Sequence, residues 1–193
     1  MNKNIKYILL ALVFVLFMGG AYFAYDKLSE KYKTENNTDN IENNENIDSD
    51  TEKEETVQAP DFTVFDYNGN SVNLSDFFGK PIVINFWATW CGPCKMELPD
   101  FNTLAEEYKD EVVFMMVNTE GGRNTTEEIK AFIEDSGYTF PVYFDTEYSA
   151  YYTYGLTSIP RSLFIKPSGE INFAFIGVMD EEFIRKNIEE ILK

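Results

Sequence analysis

The sequence contains no histidine, only two cysteines, and 16 basic residues against 33 acidic ones among 193. Each scarcity excludes something. Without an imidazole there is no Ser-His-Asp triad, no Cys-His nucleophile pair and no His-ligated metal. Two thiols cannot complete the four-ligand sphere of a structural zinc site, and they cannot hold an iron–sulfur cluster. Covalent haem attachment of the c type needs His after the second cysteine, where this chain has Lys95. A formal charge of -17 with no basic cluster excludes nucleic-acid binding by charge. No metal or cofactor is expected. The two cysteines are left with redox chemistry or with no chemistry.

Long apolar runs are equally scarce, with one exception. Residues 7–25, YILLALVFVLFMGGAYFAY, carry no charge. As a helix they would rise about 28 Å, close to the roughly 30 Å hydrocarbon core of a bilayer. Lys3 and Lys6 precede the run and acidic residues follow it, so the positive-inside rule places the N-terminus in the cytoplasm and the rest outside. The rival is a cleaved signal peptide, with Gly19 and Ala21 as a small-x-small site, but the run exceeds the usual h-region of roughly 7–15 residues. A single-pass signal anchor over 1–25 is the expectation. Residues 26–58 hold 11 acidic and 4 basic residues and a single aromatic. Such a segment buries too little apolar surface to offset its ordering entropy, and reads as a disordered linker. Its r.m.s. reach would be about 30 Å. Residues 59–193 carry the aromatic and branched residues of a globular domain.

Along that domain, Phe62–Phe65 and Val72–Leu74 flank Asn68-Gly69, a hairpin signal. Ser75 is the expected cap of a short turn ended by Gly79. PIVINF, 81–86, reads as a buried central strand. A helix follows from about Cys91, with Met96, Phe101, Leu104, Ala105 and Tyr108 at helical spacings and Pro99 expected to kink it. Val112–Val117 is a strand. Thr125 and Glu128 form a capping box for a helix ended by Gly137. Strands at 141–144, 161–166 and 171–176, a short helix at 146–154 and a last helix at 180–192 complete the pattern. Strands alternating with helices, then a closing hairpin, predict an α/β fold: a mixed central sheet flanked by helices.

The two cysteines sit in Trp90-Cys91-Gly92-Pro93-Cys94, directly after an apolar strand and at a helix start. Two thiols so spaced can close a small disulfide ring. The first meets unpaired helix amides and the positive end of the helix dipole, which favours its thiolate. That thiolate would attack a partner disulfide, and the second thiol would resolve the mixed disulfide. Gly92 and Pro93 supply a tight turn without charge. The bland alternative is a structural disulfide or two idle thiols.

At this point the chain resembles a known family. FWATWCGPCK at 86–95, with Pro99, is similar to the thioredoxin active site. The stretches APDFTVFDYNGNSVNLSDFFGKPIVINFWATWCGPCKMELP and FPVYFDTEYSAYYTYGLTSIPRSLFIKPSGEI resemble the TlpA/ResA branch of membrane-tethered thiol–disulfide oxidoreductases. The resemblance implies a thioredoxin-like fold with a helical insertion near 125–136 and a redox-active Cys91–Cys94 disulfide. It implies that Glu97, three residues after Cys94, tunes the thiols and helps move protons, while Asn85 stands where cytoplasmic thioredoxins carry Asp. It implies a cis bond between Ile159 and Pro160, a loop there that pairs with substrate, and Trp90 over the site's surface while Trp87 lies in the core. Gly92-Pro93 departs from the branch, which often carries Glu between its cysteines.

The implied function is an extracytoplasmic disulfide reductase. Electrons would come from a membrane donor of the CcdA/DsbD type and pass to disulfide-bearing exported proteins, apocytochrome c among them. The alternative is a thiol oxidase working in the other direction. A peroxidase of the peroxiredoxin kind would need Thr or Ser at position 88 and Pro at 84, where this chain has Ala88 and Ile84.

Overall fold

The structure, a computed structural model, describes residues 56–119 and 122–193. The apolar run 7–25 and the linker as far as residue 55 lie outside the described residues. Among those described, no helix is long and apolar enough to cross a membrane.

Seven strands form one sheet: β1 Thr63–Phe65, β2 Ser71–Asn73, β3 Ile82–Trp87, β4 Val113–Asn118, β5 Val142–Phe144, β6 Arg161–Ile165 and β7 Ile171–Ile176. Their spatial order is β2-β1-β5-β4-β3-β6-β7. The β3–β4 and β4–β5 pairs are parallel and the remaining pairs antiparallel, so the sheet is mixed as the sequence pattern predicts. β3 lies between β4 and β6 and all six of its residues are buried, which is why its sequence is an almost unbroken apolar run.

Strand alternation divides the core in two. Val83, Trp87, Met116 and Phe164 point to one face, where α1 (Gly92–Glu107), α2 (Thr126–Ser136) and α4 (Glu181–Ile191) pack through Leu98, Phe101, Ile129, Ile184 and Ile188. Ile82, Ile84, Phe86 and Leu163 point to the other, against Phe62, Leu74, Tyr154 and Ala150 of the short α3 (Ser149–Thr153). The expected capping box is present on α2: the Thr125 side chain accepts from the Glu128 N–H, and the Thr125 N–H donates to Glu128 Oε2 at 2.7 Å. Gly137 ends that helix at φ 71°, in the left-handed region a side chain would resist.

Three expectations are corrected. The short turn Leu74–Phe77 is capped by Asn73, whose N–H donates to Asp76 Oδ2 at 2.8 Å. Ser75 lies inside that turn, and its hydroxyl donates to Asp61 at 2.7 Å. Met96, grouped by helical spacing with Phe101 and Leu104, is 70% exposed, while Cys94, Glu97 and Leu98 are buried with Phe101 and Leu104. Steps of three and four back from Phe101 reach Leu98, Glu97 and Cys94, and Met96 is about 100° away from Glu97. Position on the helix, not hydrophobicity, decides which of the two is buried.

The third concerns where folded chain begins. Val57 and Gln58, placed in the linker by composition, are bonded to the sheet. The Ile171 N–H donates to the Val57 carbonyl at 2.8 Å, Ala59 N–H donates to Gly169 O at 2.9 Å, and Gln58 bridges Glu170. β6 runs antiparallel to β3 with Arg161 opposite Phe86 and Ile165 opposite Ile82. The β6–β7 turn that receives the incoming chain therefore lies at the end where β3 begins, the pole opposite the loop to Cys91.

Candidate active site

β3 ends at Trp87 and three residues carry the chain to Cys91, just before α1. Cys91 is the N-cap of that helix, in extended conformation (φ -79°, ψ 105°), and its sulfur accepts from the Cys94 N–H at 3.1 Å. Gly92 and Pro93 are the first two helical residues, where the missing proline N–H would be unpaired in any case. Cys91 and Cys94 form a disulfide, with Cα atoms 5.3 Å apart. Cys91 is 4% exposed and Cys94 wholly buried, which orders their roles: an incoming sulfur reaches Cys91 first. Reduction would leave the Cys91 sulfur at a helix N-terminus, accepting an amide hydrogen, and both features stabilise a thiolate. Pro99 lies within the helix, exposed, and the Thr103 hydroxyl donates to its carbonyl at 3.1 Å.

Beneath the disulfide sits a carboxyl group. Glu97 follows Cys94 by one helical turn on the inward face and is completely buried. Its Oε1 accepts from Asn85 Nδ2 at 2.7 Å and its Oε2 from the Met179 N–H at 3.0 Å. Asn85 Nδ2 also donates to Ser162 Oγ at 2.9 Å. Asn85 and Ser162 face each other across the β3–β6 pair and are buried themselves. Burial pushes the Glu97 pKa up to about 7, and the charge of Asp100 adds to the rise. The two hydrogen bonds oppose it without cancelling it. A carboxyl group poised near neutrality one turn from a buried thiol can accept the proton of that thiol and return it. Among the described residues Asn85 Oδ1 has no partner, an unmet acceptor at the centre of this cluster.

The opposite wall is the loop before β6. The Ile159–Pro160 bond is cis, and the Ile159 carbonyl oxygen lies 3.8 Å from Cys91 Sγ. Trp90 is 45% exposed at the surface beside Cys91, while Trp87 is buried. Between Trp90 and Ile159 opens a groove of about 460 Å³ that continues past Ser158 and Thr157 to Tyr151. The fold thus brings Trp90, Cys91, Gly92, Pro93 and Ile159 to one end of the domain, with Cys94, Pro160 and Glu97 buried beneath them.

Ser162 and the Met179 amide were not singled out by sequence. A lone serine in RSLFI, two residues after Pro160, was the available signal for Ser162. A backbone amide leaves no signal. The groove's far wall, Tyr151, was read only as part of a short helix. The two positions a peroxidase would need polar or proline are Ile84 and Ala88, both wholly buried in apolar surroundings.

Comparison with known proteins agrees with this geometry. The profile of the AhpC/TSA family matches residues 56–174. The thiol-disulfide oxidoreductase ResA of Geobacillus kaustophilus (strain HTA426) is 34% identical over 133 residues, covering 69% of this chain and 75% of that protein. The thioredoxin-like protein YneN of Bacillus subtilis (strain 168) is 30% identical over 136 residues, covering 70% of this chain and 79% of its own. The crystal structure of StoA from Bacillus subtilis superposes with a TM-score of 0.59 at 28% identity, covering 68% of this chain and 98% of StoA. The chain belongs to the AhpC/TSA family, with a thioredoxin-like fold, and is a thiol–disulfide oxidoreductase of the ResA/StoA type.

Proposed function

We propose that this family member works as a disulfide reductase outside the cytoplasm, held at the membrane by residues 7–25. The acidic segment from residue 26 up to the sheet-bound Val57 would serve as the tether. The observation that carries the direction is the buried Glu97 beneath an uncharged Gly92-Pro93 turn. Strong thiol oxidants stabilise their reduced, thiolate form. Here the dipeptide offers no cation, and a carboxylate near the thiols disfavours their ionisation. Both leave the dithiol the better electron donor.

In the reduced protein, the Cys91 thiolate attacks one sulfur of a substrate disulfide. The substrate S–S bond breaks, a mixed disulfide with Cys91 forms, and one substrate sulfur leaves and takes up a proton. Cys94, losing its proton to Glu97, then attacks Cys91 Sγ. The second substrate thiol is released and the Cys91–Cys94 disulfide closes. Two electrons pass to the substrate, and a membrane donor of the CcdA/DsbD type restores them. Trp90, Ile159 and Pro160 hold the substrate backbone against Cys91. Disulfide-bearing exported proteins are the substrates, with apocytochrome c one class among them. Because the chain joins the domain at the pole opposite the disulfide, a tether there leaves Cys91 free to meet them.

Thiol labelling of the full-length protein in its own cells tests the direction. A reductase supplied by a donor is found mainly as the dithiol, whereas a standing Cys91–Cys94 disulfide would indicate an oxidase. Cys94→Ser, unable to resolve the intermediate, is expected to accumulate exported proteins on Cys91. Absence of trapped exported proteins would contradict the assigned substrates.

A further inference from the structure

The groove beside the disulfide carries a feature that thiol–disulfide exchange alone does not need. Its lining includes Trp90, Tyr151, Thr157, Ser158 and Ile159, all uncharged, and Arg123, which is the sole charged side chain among the described lining residues. This cation stands in a domain of 22 acidic and 10 basic residues. The Arg123 guanidinium carbon lies 4.2 Å over the Trp90 ring. Trp90 immediately precedes Cys91, so the ring that carries the cation belongs to the residue beside the reacting cysteine, and both Trp90 and Arg123 line the groove. Among the described residues Arg123 pairs with no carboxylate. A guanidinium laid on a ring keeps its N–H edge for another partner, and that planar fork matches a carboxylate.

We propose that Arg123, held on Trp90, is a specificity-determining residue that selects exported polypeptides with an acidic side chain close to the cysteine undergoing exchange. The inference rests on the thiol–disulfide reading of Cys91 and Cys94 and adds the substrate class. A substrate sulfur bonded to Cys91 places its chain along the Ile159 loop, and successive residues of an extended chain advance by about 3.3 Å. The residues flanking the substrate cysteine therefore pass between the Ile159 carbonyl and the Trp90–Arg123 stack. An Asp or Glu there meets Arg123. A Lys there meets it with like charge. The chain's overall negative field disfavours an acidic peptide and favours a basic one to about the same extent in every variant, so the local preference is read by comparing the Asp-to-Lys ratio between variants.

Three disulfide-linked peptide dimers test this, identical except that the residues on both sides of the cysteine are Asp, Asn or Lys. Second-order rate constants for their reduction are measured with the reduced full-length protein in detergent, for wild type, Arg123→Gln and Arg123→Lys. The Asp-to-Lys rate ratio is expected to be about two- to five-fold higher in wild type than in Arg123→Gln, the range of one exposed ion pair. Arg123→Lys, which keeps the charge but not the planar fork, is expected to fall between wild type and Arg123→Gln. The same ratio in wild type and Arg123→Gln overturns the inference, as does an Arg123→Lys protein that behaves like Arg123→Gln. Failure of wild type to reduce any of the three peptides would instead overturn the thiol–disulfide reading on which the inference stands.

Discussion

The two faces of the β3–β6 pair are built from alternate residues of the same strands, and they differ in kind. On the face turned from α1, Ile84, Phe86 and Leu163 pack against Phe62 and Tyr154, with the Phe86 and Tyr154 rings 5.4 Å apart. On the face toward α1, the intervening residues Asn85 and Ser162 are just as deeply buried, yet they are polar: Asn85 donates both to the carboxyl of Glu97 and to the Ser162 hydroxyl. An apolar residue of the same volume at Glu97 would avoid burying a charge, which a protein interior tolerates only with compensating hydrogen bonds. One face is therefore explained by stability alone. The other is explained by the disulfide above it, where a carboxyl group with a pKa near 7 has chemical use.

The largest expected break in this comparison lies on the apolar face. Phe86→Ala removes a fully buried ring and is expected to lower the unfolding free energy by about 3–5 kcal/mol. Denaturant unfolding between about pH 4 and 8 should show the same loss at each value, since the titratable ring packed on Phe86, that of Tyr154, is held above its usual range by burial and stays neutral there. A loss that varied with pH would blur the distinction between the faces.

Glu97 gives the next effect, and its sign is fixed by the direction of the shift. The carboxyl titrates near 4.5 when unfolded and near 7 when folded. Between these values the native state keeps a proton that the unfolded chain has released, so the stability contributed by this group falls as pH rises through that window. The fall is on the order of 3 kcal/mol. Against Glu97→Gln, which cannot ionise, the wild-type protein should lose relative stability from about pH 4.5 to 7 and none above. A difference that stays level across that window would show that Glu97 titrates normally.

Asn85→Leu removes one of the two hydrogen bonds that hold the Glu97 pKa down. The window in the preceding comparison should then extend upward, past 7. The smallest effect is expected at Ser162→Ala, which deletes one hydrogen bond to Asn85 and should cost about 1 kcal/mol. Its sequence neighbour on the other face, Leu163→Ala, should cost about 2–5 kcal/mol. Equal costs for the two would remove the contrast.

Much of the fold was legible because local rules and tertiary placement agree. The Thr125–Glu128 capping box, Gly137, the Asn68-Gly69 hairpin and the apolar β3 each state their own structure. The site was legible at Cys91 and Cys94 because a helix start after a buried strand has chemical consequences for a thiol. The cis Ile159–Pro160 bond was expected only through the resemblance, since an X-Pro pair is usually trans. What stayed hidden depends on partners distant in sequence. Met96 looks more apolar than Glu97, but only the helix's docking against Met179 and Asn85 makes the inward position polar. Ser162 acquires meaning from a strand 77 residues away. Arg123 and Trp90 meet across loops whose conformations no periodicity reports.

The account stands most directly on the midpoint potential of the Cys91–Cys94 couple. Redox titration of the full-length protein at pH 7 should place it below about -200 mV, toward the roughly -270 mV of thioredoxin. A value near -120 mV, that of a strong thiol oxidant, would mean that the dithiol is the stabilised form and would contradict the reductase assignment.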